Sequence, residues 1–146
     1  MTEINYYTIE TSLKSLLETD SRIIALGATV EVEENFNLVS AMCPWIGIAL
    51  ESWESPADEE RIGGATPVLT TLILKVWLYT FGIESNTASQ SRDTLLQKVK
   101  EVLKENRTLN DSVLITRFEG GEFDNAEGED GFFKGVSIEL ECEVRE

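Results

Sequence analysis

The chain has 146 residues, 42% of them hydrophobic, enough for one domain with its own core and too apolar for a disordered protein. Its 27 acidic side chains outnumber 12 basic ones for a net charge of −15, which excludes nonspecific nucleic-acid binding because phosphates would be repelled. No histidine is present, so the usual general base and commonest metal ligand are missing, and no apolar run approaches the roughly 20 residues of a membrane span.

The first periodic element is "NYYTIETSLKSLLETD", where Ile9, Leu13, Leu16 and Leu17 recur at helical spacing and make one apolar stripe. Asp20 or Ser21 can cap a short second helical piece carrying Ile23, Ile24 and Leu26, and Gly27 ends it. The start "MTEINYYTIETS" has neither a basic nor an apolar leader segment, so a cytosolic or lysis-released protein is expected. "TVEVEEN" alternates briefly and predicts a strand. In "CPWIGIALESW", Pro44 fits a strand start, and Ile46, Ile48 and Leu50 alternate with Trp45, Gly47 and Ala49. "ESPADEERIGGATP" is polar and punctuated by Pro56, Gly63, Gly64 and Pro67, which predicts a mobile connection near residues 54–66.

"TTLILKVWLYTF" follows, with Leu72, Leu74, Val76 and Leu78 on one side. Ile73, Trp77, Tyr79 and Phe81 lie on the other, interrupted only by Lys75. A strand apolar on both faces expects cover on both. "SNTASQSRDTLLQKVKEVLKENRTL" is the strongest helix, with a Ser or Asn cap near Ser85 and a buried stripe of Leu95, Leu96, Val99, Val102 and Leu103. Its bases, Arg92, Lys98, Lys100, Lys104 and Arg107, lie mostly off that stripe. The chain closes with "DSVLITRFEGG" and "FFKGVSIELECEVRE", a strand pair whose last member alternates Val136, Ile138, Leu140, Cys142 and Val144 with a wet face. Between them "GGEFDNAEGEDG" is too long and too charged for a tight turn.

These elements predict an α+β domain: a mostly antiparallel sheet of about four to five strands with two main helices on one face. The aliphatic side of the central strand then takes the helices, and Trp77, Tyr79 and Phe81 are left without cover from their own chain. A partner subunit is the economical cover; the alternative is a hairpin or the 53–67 loop folded over them. From Glu119 to Glu146 ten acids stand against Lys134 and Arg145, so the molecule is electrically polarised. That polarity makes Lys100 and Lys104, on the basic face of the helix, further candidate subunit-interface residues that would meet an acidic surface of a neighbouring subunit. Phe123, with Glu122 and Asp124, is the candidate contact for a further partner, because Phe123 is the one residue of the acidic loop worth burying.

Chemistry is hard to find in the chain. "RIGGATP" lacks the lysine and spacing of a phosphate loop, and no serine sits in a nucleophile elbow. Cys43, before a proline, reads as a core residue, and two distant cysteines do not make a disulfide framework. Residues 119–131 fail as a calcium loop: with Gly128 sixth the twelfth position is Lys134, and with Gly131 sixth it is Ser137. A solvated, flexible acidic loop is the expectation. Glu139, Glu141 and Glu143 share a strand face at about 7 Å spacing, a wet and repulsive surface rather than a catalytic pair.

The order of these pieces resembles the tail terminator (tail-completion) proteins of long-tailed bacteriophages. The resemblance rests on "IETSLKSLLETDSRIIALG", "CPWIGIAL", the gapped hairpin into "TTLILKVWLYTF", the helix "SRDTLLQKVKEVLKEN" and the final pair ending "GVSIELECEV". It covers nearly the whole chain and lies in order and pattern rather than in a diagnostic motif. It implies a virion protein of the head–tail junction, assembled in the host cytoplasm, with no enzymatic activity, cofactor, metal or membrane. Such proteins form a ring, commonly a hexamer, that caps the tail tube and meets the head-completion protein, while DNA passes through without specific binding. The family offers no fixed role for the extreme charge or the acidic loop. Other neck proteins of the same ancestry fit the pattern, as does a small acidic adaptor or inhibitor binding a basic partner through residues 119–131. A metal-dependent enzyme built on that loop is the third reading.

Overall fold

Burial follows the first helical stripe. α1 spans Tyr6–Thr19 and buries Ile9, Leu13 and Leu17, with Leu16 packed beside them. Asn5 caps it, its side-chain oxygen accepting from the Thr8 N–H at 3.0 Å. The computed structural model describes residues 5–32, 39–54, 69–128 and 130–145. Residues 33–35 of the early strand and the connection after Glu54, up to residue 68, lie outside the described residues.

α2, Ser21–Leu26, starts at Asp20, whose carboxylate accepts from the Arg22 N–H at 2.9 Å, and stops at Gly27 with φ 72°. Of its apolar residues only Ile23 is fully buried; Ile24 is exposed, because so short a helix has one dry side. Arg22 then bridges to the end of α3 (Ser85–Glu105), reaching Glu105 at 2.6 Å and Glu101 at 3.7 Å. Hydrogen bonding to Arg22 holds the Asp20 and Glu105 carboxyls below their ordinary values. α3 buries Ala88, Leu95, Val99, Val102 and Leu103. The expected Ser or Asn cap is not made: Ser85 is already inside the helix, and Glu84 at the cap position makes no side-chain capping bond.

The strands are β1 (Thr29–Glu31), β2 (Trp45–Glu54), β3 (Leu69–Gly82), β4 (Ile115–Gly120), β5 (Phe123–Glu127) and β6 (Phe132–Arg145). They make one six-stranded sheet in the order β1-β2-β3-β6-β4, with β5 also paired to β6. β1 runs parallel to β2, and the remaining pairings are antiparallel. Leu72, Leu74, Val76 and Leu78 of β3, Ile46 and Ile48 of β2, and Val136, Ile138, Leu140 and Cys142 of β6 form the core beneath the helices. Thr80 sits at the seam, its hydroxyl 3.0 Å from the Ala88 carbonyl and 3.2 Å from that of Lys134.

Two features differ from expectation. The acidic segment is not a loop: β4 and β5 lie end to end along one edge of β6, which gives one strand more than the upper expected count. Gly121 permits the corner between them, since a Cβ there would collide with the Ser137 carbonyl. The corner is closed by Ser137 N–H donating to the Glu122 carbonyl at 2.8 Å and by Glu122 N–H donating to the Ser137 hydroxyl at 3.2 Å. Second, a bulge between Leu50 and Ser52 shifts the β2 register, so Trp53 pairs with Leu72 on the helix side. Gly121→Ala is expected to cost about 1–3 kcal/mol by forcing these strands apart. Denaturant unfolding measures the loss, and amide exchange across 123–127 should rise first.

Candidate assembly surface

Because α1, α2 and α3 pack on one side, the odd-numbered residues of β3 and β6 form a sheet face, here called the bare face, that none of these helices covers among the described residues. The register sets Phe81 beside Phe133, Tyr79 beside Gly135, Trp77 beside Ser137, Lys75 beside Glu139 and Ile73 beside Glu141. The face therefore has an aromatic end and an acidic end.

At the aromatic end, Phe81 and Phe133 lie 5.0 Å apart and tilted, and Trp45 and Tyr79 lie 6.3 Å apart. Tyr79 lies over Gly135, where a Cβ would strike its ring, and its hydroxyl is 3.5 Å from Asp124. Trp45 is fully buried, its indole N–H donating to Glu31 at 3.0 Å. Trp77 has Gly47 on one side and Ser137 on the other, and Lys75 Nζ stands 5.4 Å from its ring. The expectation that Trp77, Tyr79 and Phe81 lack cover from their own chain is thus corrected. Small residues on neighbouring strands let the rings lie down on the sheet, and all three are half-buried.

At the acidic end, Glu139, Glu141 and Glu143 alternate along β6, and Arg117 reaches across from β4 to Glu143 at 2.6 Å and Glu141 at 3.9 Å. The bulge between Phe118 and Gly120 brings in Glu119 as well. A hydrogen bond with Glu119, then burial, pushes the Glu141 carboxyl above its ordinary value. An acid raised in the folded state binds its proton more tightly there, so this pair favours folding increasingly as pH falls through the Glu141 titration.

Lys100 and Lys104 lie on the expected helix, α3, on the other side of the sheet from the aromatics, with Lys100 Nζ 5.8 Å from the Phe118 ring. The three expected partner-contact residues are divided. Phe123 pairs with Val136 and so lies on the helix side, 61% exposed, with the Arg92 guanidinium 4.7 Å from its ring. Asp124 pairs with Gly135 on the bare side, and Glu122 occupies the corner. Arg92 also donates to Asn125 at 3.3 Å, so α3 holds β5 from above. Sequence reading missed this clamp because residues 31–33 apart share no local pattern. It also missed the exposed Trp53, whose side is set by the bulge.

Chemical groups are sparse here. Both cysteines are unpaired. Burial pushes the Cys142 thiol up to about 12 and that of Cys43 to about 11. Cys43 is half-buried rather than in the core, since it precedes the first residue of β2 by two positions and lies at the rim. Among the described residues no three His, Cys, Asp or Glu side chains converge on a possible metal position.

No protein-family model matches the chain, and no curated protein matches it. Its fold is shared by a solved chain from the virion of a native gene transfer agent particle. The TM-score is 0.54 at 10% identity, covering 94% of each chain. At that identity the likeness establishes the fold, and it spans the whole domain rather than a shared fragment.

The Glu119–Glu141 pair can be tested without touching Arg117. In Glu119→Gln, the Glu141 titration midpoint, read by carboxyl NMR, should fall toward the ordinary carboxylate value. Stability at pH 7 should rise by up to about 1 kcal/mol, the usual scale for relieving like charges on neighbouring strands.

Proposed function

We propose that this chain is a structural protein of a phage-like virion, and that it acts as a tail-terminator-type subunit. The observation that carries the reading is the fold shared end to end with a virion chain. It agrees with the element order by which the sequence resembles tail terminators. In this reading copies close into a ring, six being the family's usual number, at the head-proximal end of a tail tube. The role requires no catalytic group and consists of presenting surfaces.

The bare sheet face supplies two of them. Its aromatic end, with Trp77, Tyr79 and Phe81 half-buried, is the surface that assembly covers. Its acidic end, with Glu139, Glu141 and Glu143, suits the wall of a DNA channel, since clustered carboxylates repel phosphate and let the duplex slide. Phe123, exposed at the end of β5 with Glu122 and Asp124 beside it, is the contact offered to an axial partner, the tube or the head-completion protein.

Tyr79→Glu places a charge in the aromatic end, and circular dichroism run beside light scattering separates misfolding from failed assembly. A folded variant that no longer associates, or no longer caps tail tubes, is expected. Trp77→Ala should lose roughly 2–4 kcal/mol from the same contact. A Tyr79→Glu protein that assembles like wild type at micromolar concentration would reject this face. A wild-type chain that stays monomeric and binds no tube would favour an acidic adaptor instead.

A further inference from the structure

A ring made of one repeated contact needs two different patches on opposite flanks of each subunit, because the same surface cannot be both donor and receiver. The sheet defines those flanks. β2 lies toward one edge, paired with β1 at Trp45–Gly47 among the described residues, and β4 forms the other edge. At about 4.8 Å per strand they stand roughly 14 Å apart.

The β2 flank carries an aromatic knob with carboxylates. Trp53 is 64% exposed on the helix side of the β2 bulge, and from α1 Tyr6 and Tyr7 are 41% and 67% exposed. A shallow groove of about 440 Å³ runs between Tyr6 and Trp53, with Leu50 and Glu51 in its wall. Glu51 and Glu54 are exposed on the same strand end. On the β4 side, α3 carries a second shallow groove, about 360 Å³, walled by Asp93, Leu96, Gln97, Lys100, Glu101 and Lys104. Its two carboxylates are already paired, Asp93 with Arg92 and Glu101 with Arg22 and Lys98. Lys100 leans over Phe118 of β4, which places this groove toward the far flank. Glu51, Glu54, Lys100 and Lys104 have no ion-pair partner among the described residues.

We infer that a second copy of this chain docks its Trp53 knob along the Leu96 groove of α3, with Glu51 and Glu54 of one copy facing Lys100 and Lys104 of the next. Charge complementarity selects the occupant: on a molecule of net charge −15, two unpaired lysines beside Leu96, in a groove whose carboxylates are already paired, fit an aromatic surface bordered by carboxylates, and this chain presents one. The contact is heterologous, adds to the one proposed for the aromatic end of the sheet face, and leaves the acidic end free for the axis. It rests on the ring reading above and deepens it by naming where neighbours touch.

The test uses two charge-reversed proteins, Glu51→Lys/Glu54→Lys and Lys100→Glu/Lys104→Glu, with mass in solution read by sedimentation. All four positions are exposed, and circular dichroism confirms folding. Each variant alone should associate at least about ten-fold more weakly than wild type. An equimolar mixture should regain association, since each variant keeps the native flank the other lacks and the two reversed flanks also match. Variants that assemble as wild type does overturn the contact, and so does a mixture that fails to recover. A wild-type protein that never self-associates instead rejects the ring itself, an outcome separate from failure of this contact.

Discussion

The two-sided apolar pattern of β3 is the constraint on which the rest depends. From Thr71 to Tyr79 this strand of 14 residues is paired on both sides, to β2 and β6, so its backbone there is satisfied within the sheet rather than by water. Its even-numbered side chains from Leu72 to Leu78 are almost wholly buried under helices. Each such side chain contributes about 1.5–3 kcal/mol on leaving water. α3 packs over β3 and β6 while α1 packs over β2, and the Arg22 bridge to Glu101 and Glu105 ties the two helical units together.

With the helices committed to one face, the other face must be stabilised by the strands' own side chains. The solution is uneven. The Tyr79 ring lies down over Gly135 and against Trp45, and Phe81 packs against Phe133. Farther along β6 the alternating glutamates cannot shield anything; Arg117 pairs with Glu141 and Glu143, and Lys75 stands across from Glu139. The raised Glu141 carboxyl shows the remaining strain. Local stability is spent there on a surface rich in like charge, which is intelligible if the surface faces a polyanion in the proposed assembly.

The acidic segment illustrates how tertiary context overrides composition. Residues 119–131 hold many carboxylates and glycines, the signature of a solvated loop. The outer edge of β6 nevertheless had unpaired backbone groups, and β5 satisfies them. The glycine at 121 lets the chain approach Ser137, and Arg92 from α3 supplies the cation that the Phe123 ring and Asn125 share. Backbone pairing outweighs low strand propensity when a partner edge is waiting.

Periodicity alone determined the α+β class, both long helices, the two central strands and the buried stripe of β6, because burial on one face leaves a period of 3.6 or 2 that local reading detects. Ile9, Leu13, Leu17, Leu95, Val99 and Leu72–Leu78 could all be named from spacing. Tertiary structure alone decided what depends on distant neighbours. It set the half-burial of Trp77, Tyr79 and Phe81, the strand at 123–127 and the Arg92 clamp on it. It also set the side on which Trp53 emerges. In each case the deciding group lies on another strand or helix, or a single bulged residue inverts the alternation. A period carries no record of either, since the physical cause is a contact made only after the sheet has closed.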